Sequence, residues 1–257
     1  MNSLEAVAPL PTAQPRRFEP QHRWDRNFIL LYVLLIWLGI VMGFGPQIVK
    51  HVETNAPPYP LIVHVHAAAF VGWLVLLTVQ VWLVRTHNVR THRKLGRAGA
   101  VLAGSMVILG PAAAIIVQRA HFGSSASDPA FLSIQLTDIL AFAGLVSAAI
   151  LWRNQSAAHK RLMLLATLYI ADAGFSRWLA GPLEAQLGDA FFGLLAQFYL
   201  ANDVLIVGLG VYDFVTRRRL HQVYVAGVAW VVTMQLTAVT LYLNPHWKLI
   251  AVKLLGH

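Results

Sequence analysis

Apolar residues run along this chain in seven stretches of 18 to 25 residues, at positions 27–44, 61–84, 98–117, 131–152, 162–180, 191–215 and 223–243. At 1.5 Å per residue, each is long enough to cross about 30 Å of hydrocarbon as a helix. The breaks between them are short and carry turn-forming or interfacial residues, such as Pro57-Pro58-Tyr59-Pro60, Gly123-Ser124-Ser125 and Gly181-Pro182. The pattern predicts an all-α fold: a polytopic membrane bundle of seven transmembrane helices over 27–243, preceded by a polar tail over 1–26 and followed by an interfacial tail over 244–257. In the last segment Trp247, Leu249, Ile250, Leu254 and Leu255 alternate with Lys248 and Lys253, the pattern of a short helix lying in the headgroup region. The first 26 residues are polar, hold four prolines and lack an A-x-A type site followed by a mature domain, so the first span is expected to act as its own signal anchor.

Composition supports this reading. The chain is 57% hydrophobic and only 12% charged, about half the charged fraction of an average soluble domain. It has no cysteine, which excludes disulfide staples, thiolate metal sites, iron–sulfur clusters and cysteine nucleophiles. A formal charge of +9 would suggest nucleic acid in a soluble protein, but its distribution favours topology instead. Fifteen of the twenty Lys and Arg flank alternate span ends on the N-terminal side, beginning with Arg16, Arg17, Arg23 and Arg26. Lys50, Arg119, Lys248 and Lys253 lie on the other side, and Arg177 falls within a span. The N-terminus is therefore expected in the cytoplasm and the C-terminus outside, with lipid and not nucleic acid as the surroundings.

Two patterns read as packing. Gly96, Ala100 and Gly104 recur every fourth residue, a small-residue face expected to let a neighbouring helix approach closely. Aromatic residues near span ends, including Trp24, Tyr59, Trp152, Trp178, Tyr224, Tyr242 and Trp247, are expected at the interfaces.

Ionisable groups inside the spans carry the candidate chemistry, because a charge at the bilayer centre costs several kcal/mol and usually has a partner or a task. Asp138 and Arg177 are both expected in the outer half and, lying on adjacent antiparallel spans, to form an ion pair. Asp172 and the pair Asn202-Asp203 fall near the midplane. Tyr169 precedes Asp172 by three residues and Tyr199 precedes Asn202 by three, which puts each hydroxyl on the face of its polar neighbour and predicts a buried network. Carboxylates crowded in one apolar site cannot both ionise cheaply, which suits proton relay or cation binding. His66, Trp73 and Gln80, seven apart, form an inward stripe. His64 and His66 with Asp138 are candidate ligands for a divalent metal, the two histidines pointing apart on their own helix. At the cytoplasmic edge, His92 and His159 open the third and fifth spans at one level. That is the coarse geometry of a b-type haem held by two imidazoles, with the Gly96 face offering room.

The run His66, Gln80, Arg85, His92-Arg93-x-Leu95-Gly96-Arg97, His159-Lys160-Arg161-Leu162-Met163 and Arg177 resembles a family of uncharacterised bacterial multi-pass membrane proteins. In that family a His-Arg-x-x-Gly-Arg motif opens one span and a His-Arg-x-x-Met-Arg type motif a later one; Leu164 stands here at the last arginine. The resemblance brings a bacterial inner membrane location but no activity. More loosely, histidines opening spans two, three and five are similar to those of ascorbate-type transmembrane b cytochromes. That likeness implies His92 and His159 as cytoplasmic haem ligands and His66 as an outer one. The fourth span has no histidine, so one haem at most is implied. The readings left open are a haem protein exchanging electrons with a quinol or small reductant, a proton-coupled carrier or small-molecule binding protein, a membrane metal enzyme, and a scaffold. The last span has no lysine for a retinal Schiff base, which excludes a rhodopsin.

Overall fold

The computed structural model describes residues 18–124 and 127–256; Arg16, Arg17, Ser125 and His257 lie outside the described residues. The helices are α1 Asp25–Glu53, α2 Leu61–Arg85, α3 Val89–His121, α4 Leu132–Leu151, α5 Ser156–Leu187, α6 Phe191–Arg217, α7 Gln222–Tyr242 and α8 Pro245–Leu254, with a single 3-10 turn, Pro129–Phe131, leading into α4. The described residues contain no strand. Among the described residues six helices, α1 to α4, α6 and α7, are long and apolar enough to cross a membrane. Their outward faces remain apolar: Leu31, Leu34, Leu38 and Val41 on α1 and Val204, Val207, Val211 and Phe214 on α6 are all exposed. Faces of that extent are compatible with contact to a lipid bilayer and far exceed what a soluble surface carries.

The remaining long helix, α5, is the hub. It has 32 residues, about 48 Å of helix, but Asp172 and Arg177 interrupt its apolar stretch. From Leu162 to Ala171 it is buried on almost every side, and a helix apolar all round is stable only if covered all round. The Thr167 hydroxyl accepts the Trp73 indole N–H of α2 at 3.1 Å. Leu165 fills the space over Gly227 of α7. Against α1 the approach is backbone to backbone. A Cβ on Gly174 would lie 2.7 Å from the Gly39 carbonyl oxygen, and one on Gly43 would overlap the Gly174 carbonyl.

That contact corrects the packing expectation. The small residues that bring helices together are Gly39-x-x-x-Gly43 and Gly174, whereas Gly96 and Gly104 are exposed and a Cβ on Gly104 would meet nothing within 4 Å. On α3 the packed line runs instead through Gly99, where a Cβ would lie 2.9 Å from Leu76, and Gly110, 2.9 Å from Ile139. The Gly181-Pro182 break is likewise absent. Pro182 sits inside α5, removing a single backbone donor, and the helix continues to Gly188, whose φ of +69° ends it. Tyr224 turns inward, its hydroxyl donating to the Ile206 carbonyl at 2.8 Å, and is no interfacial anchor. The tail forms the expected short helix, α8, which docks through the Trp247 indole on the Ala130 carbonyl at 3.0 Å and packs Ala251 and Leu255 against Ala114 and Leu132.

Candidate functional site

The central polar site is assembled from α4, α5 and α6. Asp172 (3% exposed) faces Asp138 on α4, the two carboxyls within hydrogen-bonding reach of one another. The Tyr199 hydroxyl of α6 donates to Asp138 Oδ1 at 3.3 Å, and the Tyr199 and Tyr169 rings stack 5.9 Å apart. The Tyr169 hydroxyl is buried without a hydrogen-bond partner, as are both amide atoms of Asn202, one turn along α6 from Tyr199. Asp203 turns away and accepts from the Gln235 amide of α7 at 2.7 Å. Of the residues expected in one network, Asp138, Asp172 and Tyr199 meet, Tyr169 stacks on Tyr199, Asn202 finds no hydrogen-bond partner and Asp203 forms a separate pair.

The expected Asp138–Arg177 pair does not form. Arg177 donates to its own Ala173 carbonyl at 2.6 Å and lies 4.6 Å over the Phe44 ring; the acid its charge acts on is Asp172. The reason is register. The α4–α5 hairpin closes between Leu151 and Ser156. Counted from those ends, Asp138 is 13 residues up α4 and Arg177 is 21 up α5, a gap of about 12 Å. Asp172, 16 residues up α5, is the group at the level of Asp138.

A second polar centre closes the end of the bundle where α1, α5 and α6 meet, and sequence reasoning missed it by treating its cations as topology signals alone. Asp25 accepts from Lys160 Nζ at 2.5 Å, from Arg217 at 2.8 Å, from the Tyr212 hydroxyl at 2.7 Å and from the His22 backbone N–H at 3.0 Å. Arg161 and Asp213, 2% and 0% exposed, form a bidentate pair. The segment before α1 lies over both: Phe18 sits 4.6 Å from the Arg161 guanidinium, and the Glu19 and Pro20 carbonyls accept from Arg217 and Lys160 at 2.9 Å. His221 meets Phe18 edge-on, and burial, reinforced by Arg161, holds its imidazole below the ordinary value; its Nδ1 accepts the Val223 N–H that opens α7. The spacing Asp213 to Arg217, one helical turn, was the available signal.

Of the histidines, His92 and His159 do meet: their rings are 6.4 Å apart at 88°. His159 Nδ1 is 2.8 Å from the Ala149 carbonyl, and His92 Nδ1 is buried without a partner. The His66, Trp73, Gln80 stripe faces inward as expected, with Trp73 on Thr167 and Gln80 donating to the His92 carbonyl at 3.2 Å. His66 lies against Phe70, ring centroids 4.1 Å apart, and His64 is exposed. The set His64, His66 and Asp138 is not brought together, and among the described residues no three His, Asp or Glu side chains converge as a metal site. No family model matches the chain, and no curated protein or solved structure matches it either.

Proposed function

We propose that the chain is a seven-span bacterial inner-membrane protein, N-terminus cytoplasmic and C-terminus outside, that carries or binds a small molecule in step with a proton held between Asp138 and Asp172. The supporting observation is the carboxyl pair itself. Two carboxyls within hydrogen-bonding reach on different helices, one of them accepting from the Tyr199 hydroxyl, are held together by one shared proton, because two bare carboxylates would repel in a medium of low dielectric. The unpartnered Tyr169 hydroxyl and Asn202 amide supply donors and an acceptor for a polar ligand at the same level. Infrared difference spectra of the purified protein between mildly acid and mildly alkaline buffer test the reading. A protonated-carboxyl band should change with pH and vanish in both Asp138→Asn and Asp172→Asn while the melting temperature holds. A band that survives in both variants overturns it.

A second reading, b-type haem held by His92 and His159 with electron exchange to a quinol or small reductant, is favoured by the ring separation. Metal–imidazole bonds of about 2 Å on either side of one iron put the two ring centroids roughly 6 Å apart. His159 Nδ1 on the Ala149 carbonyl would leave Nε2 as the ligand, the usual outer support of a metal-bound imidazole. Protein produced with ample haem should then show a Soret band that is lost in His92→Ala and His159→Ala; a colourless preparation rules this out.

A further inference from the structure

We propose that the exposed face of α3 bearing Arg90, Arg93, Lys94 and Arg97 binds an anionic phospholipid of the surrounding leaflet. With 33 residues α3 is about 50 Å long against about 30 Å of hydrocarbon, so its first turns, over 89–97, extend into the headgroup layer. The four cations stand at i, i+3, i+4 and i+7, which confines them to an arc about 100° wide. All four are exposed, and none holds an ion pair or side-chain hydrogen bond among the described residues. The cations where α5 and α6 meet α1 differ: Lys160, Arg161 and Arg217 are taken up by Asp25 and Asp213.

Deeper along the same arc come Val101, 73% exposed, Gly104, with nothing within 4 Å of a Cβ position, and Ile108, 72% exposed. One helix face is thus cationic at the headgroup level and apolar, with a gap in its side chains, below it. Charge and shape both match a phospholipid lying along α3, its phosphate on Arg93, Lys94 and Arg97 and an acyl chain over Gly104. An orientation signal needs only cations near a span end. It does not need them aligned on one face, unpaired, above an open apolar track.

Native mass spectrometry of the detergent-purified full chain, titrated with phosphatidylglycerol or phosphatidylcholine, tests the proposal. Phosphatidylglycerol should bind more tightly, and R93Q/R97Q should weaken it about thirty-fold, at about five-fold per cation. R23Q/R153Q, which removes the same charge elsewhere on that side, should leave the affinity unchanged within about two-fold. G104W, which keeps every charge and fills the track, should also weaken binding, so the proposal stays testable if the double variant fails to fold. Equal loss in R23Q/R153Q, no preference between the lipids, full affinity in G104W, or displacement by inorganic phosphate would each overturn it.

Discussion

Arg161 and Asp213 illustrate how much a single residue's role depends on where its helix end lands. Both are almost fully buried, so removing one partner leaves the other charge without its compensation, a loss of about 3–5 kcal/mol, whereas apolar replacement of both is often neutral. Arg217, 3.6 Å from Asp213, takes over part of the charge, so Arg161→Met is expected at the lower end, about 3 kcal/mol. The double variant R161M/D213L should recover most of it. Thermal unfolding in detergent checks this, and a single variant that melts like the parent removes the pair from the fold's support. Neither the Tyr169 hydroxyl nor the Asn202 amide finds a hydrogen-bond partner, so what was legible at this scale was the shared helix face of Tyr169 with Asp172 and of Tyr199 with Asn202, because three-residue spacing on a helix is a local property. The Asp138–Asp172 partnership was not, since it depends on the hairpin register between two helices.

At the scale of elements, α5 departs most from its sequence appearance. Its polar residues make it the least membrane-like long helix, yet its position at the hub gives each of them a protein neighbour: Arg161 on Asp213, Thr167 on Trp73, Asp172 on Asp138 and Arg177 on Phe44. The α1–α5 crossing depends on glycine at Gly43 and Gly174, where no Cβ fits. Gly43→Ala should therefore force the helices apart and cost about 1–3 kcal/mol, while Gly104→Ala on the exposed face of α3 should change the melting temperature little. Equal effects from the two would show that the close approach is not what holds α5. The Gly39-x-x-x-Gly43 spacing is as plain in the sequence as Gly96-x-x-x-Ala100-x-x-x-Gly104. Spacing alone cannot tell a helix neighbour from lipid.

For the whole molecule, parity turns on α5. Six apolar helices would bring both ends of the chain to one side, and counting α5 as a span separates them. A C-terminal alkaline phosphatase fusion is expected to be active and a green fluorescent protein fusion at the same point dark, with the reverse for fusions after residue 220. Reversed signals at both points would remove α5 from the spans. The contacts at the basic end agree with alternating helices: the start of α1 meets the starts or ends of α2, α5 and α6 through Arg85 on the Arg26 carbonyl, Lys160 on Asp25 and Arg217 on Asp25.

Length, hydropathy and the one-sided distribution of Lys and Arg determined by themselves that this chain is a helical bundle suited to a bilayer, because span length and charge bias act on each segment separately. Only the tertiary structure decided which acid faces Asp138, which glycines lie against a helix and which are left exposed, and which of the basic residues are neutralised. Those outcomes depend on rotation and register between helices remote in sequence, and a shift of one turn, about 5.4 Å, exchanges one polar partner for another.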